Sequence, residues 1–239
     1  MSTACFCDII LVLKHLDIVY EDDSCMVINK PAGLAVQGGK GIGVSLDSIL
    51  TESRPQRPLL VHRLDRDTSG LVLVAKNKAA AAWFSKLLGG EGGNAAFPGT
   101  GVAKRYLAVC NGRPQQADGT ISLDLEIRGV IKKSTTRYKL ISQHCCGEDN
   151  ISMLELELGT GRMHQIRRHL ALTGNPVLGD DKYGDFSLNR RLRKTMQLRR
   201  LLLHASRLII EEMPDAPPLD ITAPLPDYFR KFIDISVMI

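Results

Sequence analysis

Three polar clusters carry residue types able to do chemistry. The first is residues 62–70, HRLDRDTSG, wedged between the apolar residues 59–61 and 71–75, which sets polar groups at an element end beside the core. Within it, Asp65 could act as nucleophile or base. Such a carboxylate must be ionised to attack, and a nearby guanidinium favours that form. The same residues also suit a structural ion pair or a turn cap. The second cluster, residues 159–169 (GTGRMHQIRRH), puts donors around a helix start that follows a glycine-flanked turn. Helix-terminal amides and guanidinium groups fit phosphate oxygens, although a solvated basic helix face has the same composition. The third, residues 104–108 (KRYLA), sets Tyr106 among basic residues on a strand, where a lone ring ordinarily serves core or surface packing.

The elements that must position these clusters can be read from periodicity. Residues 153–158 alternate apolar and acidic side chains and residues 123–127 repeat the pattern, so both are expected to be antiparallel edges of one sheet. Residues 71–75 read as a buried strand and the alanine-rich residues 79–88 as a helix. Met163, Ile166 and Leu170 recur at helical spacing, which predicts an amphipathic helix over 162–173 ended by Gly174 and Pro176. A basic helix is expected over 188–200, from Leu188, Leu192 and Met196 four apart. Residues 89–101 and 143–150 read as loops, and no repeat at solenoid period is present.

Composition bounds the function classes. The 239 residues suffice for one or two domains with a substantial core, at 44% hydrophobic and 24% charged. The net charge of +5 suits a polyanion without requiring one. Its distribution says more: residues 159–210 hold eleven Lys and Arg against three Asp, a formal +8. Six cysteines include no Cys-x-x-Cys pair, so neither a metal site nor a disulfide is expected. The apolar run at 9–13 follows Asp8 and lacks a basic flank, unlike a signal peptide or a membrane span, and a cytoplasmic location is expected. P-loop and dinucleotide glycine fingerprints are both missing.

Taken together and in order, the clusters resemble the RluA-type pseudouridine synthases over residues 16–226. The resemblance runs through VINKPAG at 27–33, HRLDRDTSG at 62–70, KRYLA at 104–108, GRMHQIR at 161–167, GD at 179–180 with YG at 183–184, and LHA at 203–205. It implies isomerisation of a uridine in structured RNA: the N1 glycosidic bond breaks and the ring rejoins the sugar through C5. It further implies that Asp65 is the essential aspartate, Tyr106 the ring that stacks on the uracil and helps remove the C5 proton, and Arg167 the aspartate's basic partner. Arg63 matches a residue that fills the gap left by the flipped base, and Lys30, His62, Arg162 and His164 match structural or RNA-contacting positions. A base inside a helix cannot reach any carboxylate, so the nucleotide must leave its stack. No cofactor or metal is required, because bond breaking and making balance within one substrate.

The expected fold is one α+β catalytic domain over 16–239, after an extension at 1–15 and without an S4-type RNA-binding domain. Its long, mixed, mostly antiparallel sheet is flanked by helices, and a central cleft is lined by Asp65 and the segment before Tyr106, with Arg167 opposite. Ribosomal RNA of the large subunit (23S) is the expected partner, because LAVQGG at 34–39 resembles the ribosomal members; transfer RNA is the alternative, and the expected state is a monomer. Two rival readings stay in view. A glycosidase would pair Asp65 with Asp67, but needs carboxyl groups across a sugar. A non-catalytic RNA-binding or ribosome-assembly factor would keep the fold alone.

Overall fold

The computed structural model describes residues 16–89, 101–146, 148–213 and 216–233. The chain runs through β1 (Asp17–Glu21), β2 (Cys25–Lys30), α1 (Leu46–Ser53), β3 (Leu59–Leu60), β4 (Ser69–Ala75), α2 (Lys78–Gly89) and β5 (Val102–Asn111). It continues through β6 (Asp118–Ile121), β7 (Leu125–Ile127), β8 (Val130–Lys132), β9 (Thr136–Cys146), β10 (Asp149–Leu158), α3 (Gln165–Leu172), α4 (Phe186–Thr195), β11 (Leu203–Ile210) and β12 (Leu219–Thr222). Local chemistry accounts for several of the boundaries. A reciprocal Ser45–Ser48 capping box opens α1, and the Asp185 carboxylate accepts from the Leu188 amide to open α4. Every residue of the Val- and Leu-rich β4 is buried.

A ten-stranded sheet has the order β1-β2-β4-β11-β5-β10-β9-β6, with β3 beside β4 and β12 beside β11. Its neighbours are antiparallel except β4 and β11, which are parallel. The architecture is the expected α+β one, a mixed and mostly antiparallel sheet flanked by helices. Its faces carry different partners. Tyr106, Ala108, Leu154 and Leu156 pack with α1 and α3 on one side, while Leu107, Val109, Ile151 and Met153 pack with Leu188 and Leu192 of α4 on the other. Phe84 of α2 packs against Leu71 and Leu73 in a third cluster.

The parallel pair β4 and β11 meets only at His204↔Ser69 and Ala205↔Gly70, then diverges so that β3 and β12 fill the separate edges. The sheet therefore splays at its centre. Across the narrow end of that splay, Gly70, Ala205, Tyr106 and Leu156 lie in one transverse row. Gly70 adopts φ +106°, and a Cβ there would run into the Ala205 backbone. Ser69 Oγ reinforces the junction at 2.9 Å from both His204 Nδ1 and the Tyr228 hydroxyl.

Several expectations need correction. Residues 153–158 form the inner strand β10, held between β5 and β9, and residues 125–127 pair with β8 in a separate two-stranded sheet. Alternation reports that one face of a strand is covered; it carries no information about how many neighbours the strand has. The loop expected at 143–150 is mostly the end of the β9–β10 hairpin, where polar side chains suit a partly solvated ladder. Helix α3 starts at Gln165 rather than 162, because His164 takes a left-handed conformation (φ 54°) after the glycine turn, and Met163 stays 51% exposed. Helix α4 covers 186–195 and ends before the arginines at 199 and 200; Gln197, at φ 59°, takes the chain out of helical geometry. Gly174 turns the chain out of α3 at φ 82°, as expected. The apolar run at 9–13, Cys5, Cys7 and most of the glycine-rich stretch (90–100) lie outside the described residues. Cys25, Cys110 and Cys145 are free thiols, and no helix among the described residues is long and apolar enough to cross a membrane.

Gly70→Ala should lower unfolding free energy by about 2–3 kcal/mol, combining positive-φ strain with overpacking at the strand junction. Urea denaturation measures this; a loss below about 0.5 kcal/mol, the range of an ordinary surface substitution, would show that β4 and β11 do not need their close approach.

Candidate active site

At the splay lies a cavity of about 290 Å³, whose lining includes Arg63 and Asp65 from the loop after β3, Lys104 and Tyr106 from β5, and His164 and Arg167 from the start of α3. The loop that offers Asp65 is fixed from below by Lys30. This lysine is completely buried, and its Nζ donates to the carbonyls of Pro31 (2.9 Å), Leu34 (2.8 Å) and Arg66 (3.0 Å). Burial brings its pKa down to about 8 against the attraction of Asp67 and Asp65. A second tie is His62, whose Nε2 accepts from the Leu73 amide at 2.9 Å. That bond requires the neutral ring, in keeping with a pKa held down to about 3 by burial and by Lys104.

Arg167 faces the loop from across the cavity. Its Nη1 lies 3.5 Å from Asp65 Oδ2, and His164 Nε2 lies 3.7 Å from Asp65 Oδ1. The guanidinium is itself anchored from behind. Nε and Nη2 donate to the two Asp180 carboxylate oxygens at 2.7 Å each, a bidentate fork, and Nη2 reaches Asp181 at 3.4 Å. Asp180 is 1% exposed and also accepts from the Lys182 and Tyr183 amides. Burial opposes its charged form, but the Arg167 fork and those amides together hold its carboxyl below the ordinary range. Burial likewise opposes the charge on Arg167; the bonds and charges of Asp180, Asp65 and Asp181 outweigh it and drive its pKa up. The arginine therefore stays cationic, aimed at Asp65 and unable to swing away.

His164 is held by its backbone and by a 3.1 Å contact between Nδ1 and the Tyr183 hydroxyl. Burial leads the causes that lower its pKa, with the Asp65 charge acting the other way. Tyr106 is 5% exposed, and burial followed by the Asp65 charge pushes its hydroxyl pKa up, so the phenol stays protonated near neutral pH.

Of the residues expected to share one site, Asp65, Tyr106, Arg167, Arg63, His62, Arg162 and His164 line the same cavity. Lys30 lies outside that lining, beneath the Asp65 loop. Asp67 is also outside it, and pairs with Arg66 at 3.3 Å, so it does not oppose Asp65 across a substrate-sized gap. Sequence reasoning assigned no role to Asp180, Tyr183, Gln165 or Lys104. All four stood in quoted motifs (GD, YG, GRMHQIR and KRYLA), which signalled them by position without chemistry. Gln165 shapes the turn before α3 by accepting from the Arg162 amide and donating to the Thr135 carbonyl.

Asp180→Asn should cost about 3 kcal/mol, since it strips the buried guanidinium of its paired charge. Asp65→Asn, at the solvated end of the same arginine, should cost under about 1 kcal/mol. Denaturation of the two variants side by side tests the ranking, and equal losses would mean that Asp180 is not the anchor.

Comparison with known proteins bears on what this cavity does. Residues 24–172 match the family model described as RNA pseudouridylate synthase. A protein named ribosomal large subunit pseudouridine synthase C from Rickettsia bellii is 37% identical over 228 residues, covering 90% of this chain and 70% of that protein. The Haemophilus ducreyi protein of the same name is 34% identical over 230 residues, covering 90% and 68%. Among solved structures, human RNA pseudouridylate synthase domain containing 4 superposes with a TM-score of 0.75 over 95% of both chains at 24% identity, a likeness of fold. Human RNA pseudouridylate synthase domain containing 1 gives a TM-score of 0.68 at 28% identity, covering 89% and 84%. With a family model spanning more than half of its length and relatives over a third identical along most of both chains, this chain belongs to the RNA pseudouridylate synthase family.

Proposed function

We propose that the chain isomerises a specific uridine in large-subunit ribosomal RNA, with Asp65 as the essential carboxylate, Arg167 as its cationic partner and Tyr106 as the surface on which the everted uracil stacks. The observation that carries this reading is the facing of Asp65 and Arg167 within one cavity whose lining includes Tyr106. Ribosomal RNA is named because the relatives cited above are called ribosomal large subunit synthases. Residues 16–239 serve as the catalytic domain, acting in the cytoplasm as a monomer without metal or cofactor.

The geometry supports a division of labour. An Asp65 oxygen beside a fixed guanidinium meets the sugar carbon without prior rearrangement of the protein, so the charge needed in the reaction is already organised. Tyr106 supplies a ring in place of the stacking that the base loses on leaving its helix. Its protonated hydroxyl suits a positioning role in the resting site. Arg63, exposed at the cavity edge with one long contact to Gln37 at 3.5 Å, is free to enter the space vacated by the base. Arg162 and the exposed cations of the basic segment offer partners for phosphates.

The test is carbodiimide mapping of pseudouridines in ribosomal and transfer RNA from cells lacking the chain. One large-subunit site should vanish and return with the wild-type gene but not with Asp65→Asn, whose turnover should fall about 10,000-fold or more. Loss of a transfer-RNA site instead would move the substrate; full restoration by Asp65→Asn would leave only a binding role; free uracil released from RNA would mean hydrolysis. Arg63→Ala should raise the RNA concentration giving half-maximal rate by about tenfold while saturating RNA is still converted, since it removes a gap-filling contact of the order of a stacking interaction. A slowed rate at saturation with unchanged RNA affinity would assign Arg63 to the chemical step.

A further inference from the structure

Lys104 shares the cavity but has no role in the reading above. Val102, Lys104 and Tyr106 alternate along β5 and so project to one face, with Lys104 and Tyr106 about 7 Å apart along the strand. The lysine lines the cavity together with Ser85 and Leu88 of α2 and Leu203 of β11. The residue is partly exposed through the cleft, yet burial of its ammonium brings the pKa down to about 8. Among the described residues it has neither a carboxylate partner nor a hydrogen-bond acceptor, and the ring that feels its charge, His62, is neutral. A desolvated ammonium without a counter-charge is costly, and mutual repulsion with a protonated His62 would make it more so. In this structure its charge is left over for whatever enters the cleft.

Two parts of a nucleotide could take it up. A phosphate is fully ionised and strongly hydrated, and the exposed Arg63 and Arg162 at the cavity edge already suit it. The base is the part that must be desolvated against Tyr106 in any case, and its edge carries two carbonyl acceptors that match a donor-only group. Its need for a cation peaks during reaction. When the N1–C1′ bond breaks, the bonding pair stays on N1 and spreads to O2 and O4; the charge is discharged when C5 bonds C1′, the C5 proton leaves and N1 gains a proton.

We infer that the Lys104 ammonium faces the uracil edge and holds the negative charge of the detached ring while it turns in the cleft. Lys104 exchanges no bond and no proton in this role. The inference rests on the proposed placement of uracil against Tyr106.

The experiment compares wild type, Lys104→Met and Lys104→Arg on total RNA from cells lacking the chain, measuring the single-turnover rate at saturating enzyme and, separately, RNA affinity by filter binding. Lys104→Met should slow the rate by about 100-fold, the scale of a lost oxyanion donor, with affinity changed by less than about threefold. Lys104→Arg, which keeps the cation, should recover most of the loss. Thermal melting should be unchanged or higher for Lys104→Met, since an unpaired buried charge has been replaced by an apolar chain. A Met variant within about threefold of wild type would overturn the inference, and so would a loss confined to affinity, which would make the lysine a phosphate holder. An Arg variant as slow as Met while melting like wild type would overturn it too. If wild type converts no uridine in any RNA, the proposed function fails; if wild type is active and Lys104→Met equally so, this inference alone fails.

Discussion

The structure around the cleft depends on one guanidinium shared between two carboxylates of unlike burial. Asp180, almost fully enclosed, takes the inner edge of Arg167 in a bidentate fork, while Asp65, partly solvated, stands before the outer nitrogen at 3.5 Å. The inner bonds are short and the outer one long, so the arginine belongs structurally to Asp180 and is presented to Asp65. A cation held in this way gives Asp65 a fixed neighbour without locking the aspartate itself, which leaves its oxygens available to a substrate.

That arrangement needs the two halves of the site to arrive from distant parts of the chain at fixed separation. The narrow junction of β4 and β11 supplies the frame. Because Gly70 lacks a side chain, the backbones of residues 70 and 205 approach closely, and the next strand across carries Tyr106 in the same row. Beyond that junction the strands separate, and β3 and β12 take the two edges that this leaves. Lys30 and His62 then fasten the Asp65 loop to this frame through backbone groups, so that a loop residue is held by bonds originating in the core.

The charges lining the cleft are also arranged by depth of solvation. Arg63 and Arg162 are exposed; Arg167 is buried and neutralised by its carboxylates; Lys104 is half-buried and without a carboxylate partner among the described residues. Burial and the surrounding cations keep His62 and His164 toward their neutral forms, which spares the site further positive charge.

Residue type and order determined a good deal. The acidic and basic clusters, the buried strand over β4, the alanine-rich helix after it and the exit of α3 at Gly174 follow from local composition, periodicity and turn chemistry, which depend on neighbours within a few residues, while the α+β class came with the family resemblance. What local pattern could not report was partnership. Residues 153–158 look the same at an edge or in the interior, since alternation records one covered face and not the number of flanking strands. Lys30 looks like an RNA-binding lysine until three carbonyls are seen converging on it, and Asp67 looks equivalent to Asp65 until one is found outside the cavity and the other within it. Asp180 acquired a role only when the chain brought it against Arg167, thirteen residues away and on the far side of a turn. The sequence by itself thus determined which groups could carry charge and which segments would bury. Tertiary structure decided which charges meet, because a bond a few ångströms long depends on separation in space and not on separation along the chain.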